Sequence, residues 1–163
     1  MGGRSAFFVA IAASWAAAGC APEAETAAEP SVTQSATHDV SGLAVIPVTI
    51  AGKTGNHTFR AEMADTPAAQ ERGLAGRSEL GPDEAMLFPN AGGAAQVFWN
   101  KDSHFPVDIL FVGTDGRISN IAPMNEANSE KQVYSVGTSR AALEIAGGRA
   151  AELGLEPGDS ISW

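Results

Sequence analysis

The sequence predicts a mainly β domain: an antiparallel sandwich or closed barrel of about eight to nine short strands with two short helices. Three observations predict it. Short runs rich in β-branched and aromatic residues recur at close spacing, separated by Gly, Pro, Asn and Asp. Only two segments carry helix-forming composition. Strands and helices do not alternate regularly, and no glycine loop of the phosphate-cradling kind is present, so a doubly wound nucleotide-binding sheet is disfavoured.

Taken in order, residues 43–50 (LAVIPVTI) read as a strand, and 51–56 (AGKTGN) carry turn chemistry. In residues 58–63, Phe59, Ala61 and Met63 alternate with Thr58, Arg60 and Glu62, so a second strand closes a hairpin. At Asp65-Thr66-Pro67 the period changes. Thr66 suits the cap, Pro67 the first helical position and Gly73 the left-handed end, which predicts a short helix over 68–72. Residues 85–88 (AMLF) form a brief apolar run. Strands follow at 96–99 and 107–112, the second leading through Gly113-Thr114-Asp115-Gly116 into 117–121. Further strands are predicted at 132–136, 141–145 and 160–163, with a helical turn at 149–153 and a Pro157-Gly158 turn after it.

The N-terminus has a different character. One Arg precedes an apolar stretch from Ala6 to Ala18, too short to span a bilayer and laid out as a secretory signal. Ala17-Ala18-Gly19-Cys20 resembles a bacterial lipobox, with Ala where Leu is more common at the first position. Cys20 is the only cysteine, so no internal disulfide can form and the one thiol stands where a lipid would be attached. These features predict a lipoprotein signal over 1–19, a flexible Ala/Glu/Pro/Thr tether over 20–42 and one folded domain over 43–163. They also predict export to the periplasmic side of the envelope, with Ala21 favouring the outer membrane by resemblance to sorted lipoproteins. The formal net charge of −9 argues against nucleic acid as a partner.

Several blocks resemble one family. Residues 71–77 (ERGLAGR), 85–88 (AMLF), 98–103 (FWNKDS), 106–111 (PVDILF), 143–147 (LEIAG) and Gly158-Asp159 look like the ordered blocks of DUF192, also called UPF0127. The resemblance implies a small, mainly β domain, often behind a signal peptide, and implies no activity. Asn100 stands where that family commonly has Met, and Asp102-Ser103 where it has Asn-Thr, so a ligand shared by the family need not carry over.

The candidate site residues centre on 97–112 (VFWNKDSHFPVDILFV), where five polar residues sit between two apolar runs. Asn100, Asp102 and Ser103 suit a turn, with Lys101 as a solvated charge. Trp99 beside this loop also suits the wall of a small-ligand groove. Asp108 and Glu144 are carboxylates inside apolar runs and need partners if buried; Arg72 and Lys101 are the candidate counter-ions. Arg72, Trp99, Asn100, Lys101, Asp102, His104, Asp108 and Glu144 are therefore the ligand-binding candidates, with Cys20 the lipidation site. No spacing indicates a metal set, and no cofactor is implied. Three function classes stay open: a domain binding a small envelope ligand, a structural or protein-interaction role in the envelope, and a hydrolase using Asp108 and Glu144 as paired carboxylates.

Overall fold

The structure, a computed structural model, describes Gly2 and residues 36–163. The expected signal, Cys20 and the tether up to residue 35 lie outside the described residues. Ten strands and two short helices follow: β1 (Ala36–Thr37), β2 (Ala44–Gly52), β3 (Gly55–Met63), α1 (Pro67–Arg72), β4 (Glu84–Pro89), β5 (Val97–Asn100), β6 (Val107–Gly113), β7 (Ile118–Met124), β8 (Ser129–Tyr134), β9 (Ser139–Ala146), α2 (Arg149–Glu152) and β10 (Ser160–Ser162).

Eight strands make one sheet in the order β1-β2-β3-β4-β9-β6-β7, with β10 also on β2; β5 and β8 form a separate two-stranded sheet. The arrangement is sandwich-like. The large sheet does not close into a barrel, because β10 meets the start of β7 only through an isolated bridge between Arg117 and Ser160. Two features depart from the expected all-antiparallel layout. β3 and β4 run parallel, Arg60 opposite Glu84 and Met63 opposite Leu87, because the connection through α1 carries the chain back to the end of the sheet where β3 began. Ala36–Thr37, assigned to the tether by composition, add a two-residue strand to β2, where only main-chain hydrogen bonds are needed.

Both faces of the sheet are covered. One cluster contains Val48, Ile50, Phe59, Leu87, Leu110, Leu143 and Ile145, with Ala150 and Leu155 beside them. The other contains Leu74, Leu80, Met86, Phe88, Ile109, Phe111 and Ala142, with Phe98 packed against it. Phe98 meets Phe88 and Phe111 edge-on, with ring centroids 5.1 and 5.7 Å apart, which fastens the small sheet to the large one. Every residue of β6 is consequently buried. Asp108 on β6 and Glu144 on β9 are both buried within these layers.

The helix α1 is pinned at both ends. The Ala69 amide donates to Thr66 Oγ1 at 3.2 Å, and Gly73, at φ 48°, donates to the Ala69 carbonyl at 2.9 Å. Gln70 Nε2 donates to the carbonyls of Ala64 and Pro89 at 3.0 and 2.9 Å, which ties the helix to the ends of β3 and β4. Arg72 and Gly73 are thereby held beside β5.

Candidate functional site

The polar segment after β5 is a built crossover and not a hairpin turn, since β5 pairs with β8 while β6 belongs to the large sheet. Asn100 is buried, and its Nδ2 donates to the carbonyls of Phe105 and Glu126, both at 3.0 Å. Asp102 and Asn128 both take positive φ, 60° and 51°. They are cross-linked: the Asp102 amide donates to Asn128 Oδ1 at 3.0 Å, and the Asn128 amide donates to the Ser103 carbonyl at 2.8 Å. The polarity of this loop is spent on its own backbone.

Its inner side borders a cleft of about 460 Å³ between α1 with its following turn and β5. Of the candidate residues, Arg72, Trp99, Asn100, Lys101 and Glu144 line it together. Asp102, His104 and Asp108 do not. His104 is exposed, and Asp102 serves the turn. The cleft also brings in Gln70, Glu71, Gln96 and Ser103, which the sequence did not single out as ligand groups. Glu71 and Gln70 sit on α1 one and two residues before Arg72, so an exposed helix end next to a candidate was the signal available.

Glu144 forms the buried part of the cleft. It lies in β9 opposite Met86 of β4 and Ile109 of β6, flanked by apolar side chains on both sides. It is 6% exposed and, among the described residues, has no salt bridge and no side-chain hydrogen bond. Neither expected counter-ion reaches it. Arg72 makes no salt bridge among the described residues, and Lys101 Nζ lies 3.6 Å from Glu130 Oε1 at the surface. Burial alone pushes the Glu144 carboxyl up to about 8.

Asp108 is separated from this site by the sheet itself. It lies opposite Ile145, one residue out of step with the Ile109–Glu144 pair, so its side chain leaves the other face. There its Oδ2 accepts from the Ala150 amide at 2.9 Å at the start of α2, while Oδ1 has no partner. Asp108 and Glu144 therefore form neither an ion-pair network nor an acid–base couple across one substrate. Among the described residues no three His, Cys, Asp or Glu side chains converge as a metal set.

A buried ionic cluster on β3 was not foreseen. Glu62 on β3 is held by Arg77, Nη1 to Oε1 and Nη2 to Oε2 at 2.6 Å each, with the Ser41 hydroxyl also donating to Oε2 and His38 Nε2 3.6 Å from Oε1. Burial acts to raise the Glu62 carboxyl, but the hydrogen bonds from Arg77 and Ser41 outweigh it and leave it below its ordinary value. The cluster clamps the segment after β1 onto the sheet and lies outside the cleft.

Solved structures similar to this chain include the following two. A protein of unknown function from Novosphingobium aromaticivorans DSM 12444 shares 44% identity and a TM-score of 0.77, over 78% of this chain and 91% of that one. A candidate transcription regulator from Sinorhizobium meliloti 1021 shares 30% identity and a TM-score of 0.70, over 74% and 94%. No curated protein matches. The family model DUF192, described as Uncharacterized ACR, matches residues 48–163, which cover the cleft, both helices and the sheet apart from β1 and the start of β2, and the chain belongs to the DUF192 family.

Proposed function

We propose that this chain is a small-ligand-binding domain held at the periplasmic side of the cell envelope by a lipid on Cys20, with the cleft between α1 and β5 as its binding site. Glu144 carries the binding reading: a buried carboxyl, open to a cleft and without a partner, costs stability that a core of this packing would otherwise remove. Trp99, 48% exposed at the lip, supplies a flat face for a ligand to stack on. The envelope location rests on the signal-like start and the lipobox-like residues before Cys20. Val97, Tyr134 and Val136, exposed on and beside the small sheet, favour a protein partner as the second reading.

A thermal-shift screen of the full chain against peptidoglycan fragments, saccharides, short peptides and divalent metals tests the proposal. A ligand at about a hundred times its dissociation constant adds roughly 2.7 kcal/mol, a shift of several degrees. The shift is expected to vanish in Trp99→Ala. A screen without any hit removes the small-ligand reading and leaves the protein partner. Membrane fractionation that survives Cys20→Ser removes the lipid anchor.

A further inference from the structure

We propose that the cleft takes a zwitterion of amino-acid or dipeptide size, its ammonium group on Glu144 and its carboxylate at the rim beside Arg72 and Lys101. The inference rests on the cleft being a ligand site and assigns the ligand's chemical class.

The uncommitted polar groups of the cleft carry it. Gln70 and Asn100 spend their amide donors on main-chain carbonyls, Ser103 points its hydroxyl at the Phe105 carbonyl, and Gln96 accepts from Ser139 Oγ. A neutral saccharide needs many donors and acceptors around its ring, and most of the donors here are occupied. Apart from the amide atoms Gln70 Oε1, Asn100 Oδ1 and Gln96 Nε2, what remains is ionisable: Glu144 at the floor, and Arg72, Glu71 and Lys101 toward solvent, Lys101 with only Glu130 near it at 3.6 Å. The floor carboxyl has no donor within the described protein, because its strand neighbours present Met86 and Ile109 and its ladder amides belong to β4 and β6. Only solvent or a ligand in the cleft can supply one. An ammonium group brings three N–H donors and the opposite charge, and Phe88, Phe98 and Trp99 line the same space, where aromatic faces attract cations. Leu74 adds apolar wall for a side chain. The guanidinium and ammonium at the rim suit a carboxylate, so one end of the cleft is built for each end of a zwitterion. About 460 Å³ lies within the roughly 300–1,000 Å³ usual for small-molecule sites.

The proton balance gives a distinctive readout. Near neutral pH the unoccupied Glu144 holds its proton, since burial raises its carboxyl to about 8. Ammonium binding requires the carboxylate, so the proton leaves to solvent as the cation enters. The other charged groups facing the cleft are Glu71 and Arg72 from α1 and Lys101 after β5; no His lines it, and β4 and β6 face Glu144 with apolar residues. The association constant is therefore expected to rise about tenfold per pH unit below about 8.

The test is calorimetric titration of the full chain with L-leucyl-L-leucine, its N-acetyl derivative and cellobiose at pH 6, 7 and 8. The dipeptide is expected to bind with an affinity that rises about tenfold from pH 6 to pH 7, and to bind at least about tenfold more weakly to Glu144→Gln, which stays folded. The N-acetyl derivative is expected not to bind. A dipeptide that binds Glu144→Gln equally well, shows no pH slope, or is matched by its N-acetyl derivative overturns the proposal. Cellobiose binding in place of the dipeptide also overturns it while leaving the cleft a ligand site. Absence of binding by all three probes overturns it, and if the wider screen is also empty the cleft reading falls with it.

Discussion

Asp108 and Glu144 stand on neighbouring strands, β6 and β9, yet face opposite sides of one sheet, Asp108 opposite Ile145 and Glu144 opposite Ile109. The single-residue offset decides their chemistry. Asp108 receives a hydrogen bond from the Ala150 amide within one apolar layer, whereas Glu144 opens into the cleft of the other with no partner. One fastens α2 to the sheet, and the other is a buried carboxyl without a partner.

Replacing Glu144 by Gln is expected to stabilise the protein near neutral pH. The unfolded carboxyl titrates near 4.5 and the folded one at about 8. Between these values the folded state holds a proton that the unfolded state has lost, so stability is full below 4.5 and falls as pH rises to about 8. At pH 7 the deficit is about 3 kcal/mol, which Gln does not incur. Urea unfolding at pH 4 and pH 7 measures it: the variant should gain about that much at pH 7 and little at pH 4. An equal difference at both pH values would show that the carboxyl is not perturbed.

Asp108→Ala is expected to cost about 1–3 kcal/mol, because the Ala150 amide loses its acceptor inside the core. It should leave binding in the cleft unchanged, since the side chain lies across the sheet. Chemical unfolding and a titration of the same variant separate the two effects. A variant that keeps its stability but loses binding would place Asp108 in the site after all.

The parts of the fold set by neighbours in sequence were legible, and the parts set by distant pairing were not. Thr66, Pro67 and Gly73 mark α1 through local capping chemistry, and the β2–β3 hairpin follows from alternation on either side of Lys53-Thr54. The parallel β3–β4 pair, by contrast, depends on where the 64–83 connection returns, which no local pattern encodes. β5 looks like a partner for β6 because only a short polar loop separates them, yet it pairs with β8, Phe98 opposite Val133. Asn100 and Asp102 have the residue types of a binding loop, and those side-chain and main-chain groups are used to shape the loop instead. Glu144 was visible as a carboxylate out of place in an apolar run. That no cation reaches it follows from where α1 and the turn after β5 leave Arg72 and Lys101, at the rim, which no local pattern encodes.

Arg77→Met should be the most damaging single change outside the apolar layers. It leaves Glu62, 3% exposed, as a buried carboxylate without its guanidinium, at a cost of about 3–5 kcal/mol. Glu62→Gln combined with Arg77→Met should recover much of that, because no unpaired charge remains. The pH dependence has the opposite sign to that of Glu144. The Glu62 carboxyl lies below its ordinary value of 4.5, so its contribution is present above 4.5 and is lost as pH falls through the lower folded value. Thermal unfolding between pH 3 and pH 6 should show the native chain losing stability on acidification more steeply than the double variant. Parallel curves would mean that the clamp contributes nothing to acid sensitivity.

Asn100 and Asp102 are expected to respond unequally despite lying two residues apart. Asn100→Ala removes the Nδ2 donor that holds the Phe105 and Glu126 carbonyls, and losing these two part-buried hydrogen bonds should cost about 1–3 kcal/mol. It should also loosen the cleft wall, raising hydrogen exchange at Ser103 and Asn128. Asp102→Gly keeps the main-chain amide that donates to Asn128 and relieves the left-handed backbone at φ 60°, a conformation that costs an L-residue about 1 kcal/mol. Glycine's greater freedom in the unfolded chain offsets part of that, so its stability should stay within about 1 kcal/mol of the native chain. Unfolding measurements on the two variants decide whether the loop is a scaffold for the cleft. If Asp102→Gly abolishes ligand binding while stability holds, its carboxylate contacts the ligand and the loop is part of the site; if only Asn100→Ala weakens binding, the loop acts by shaping the wall that Trp99 and Lys101 stand on.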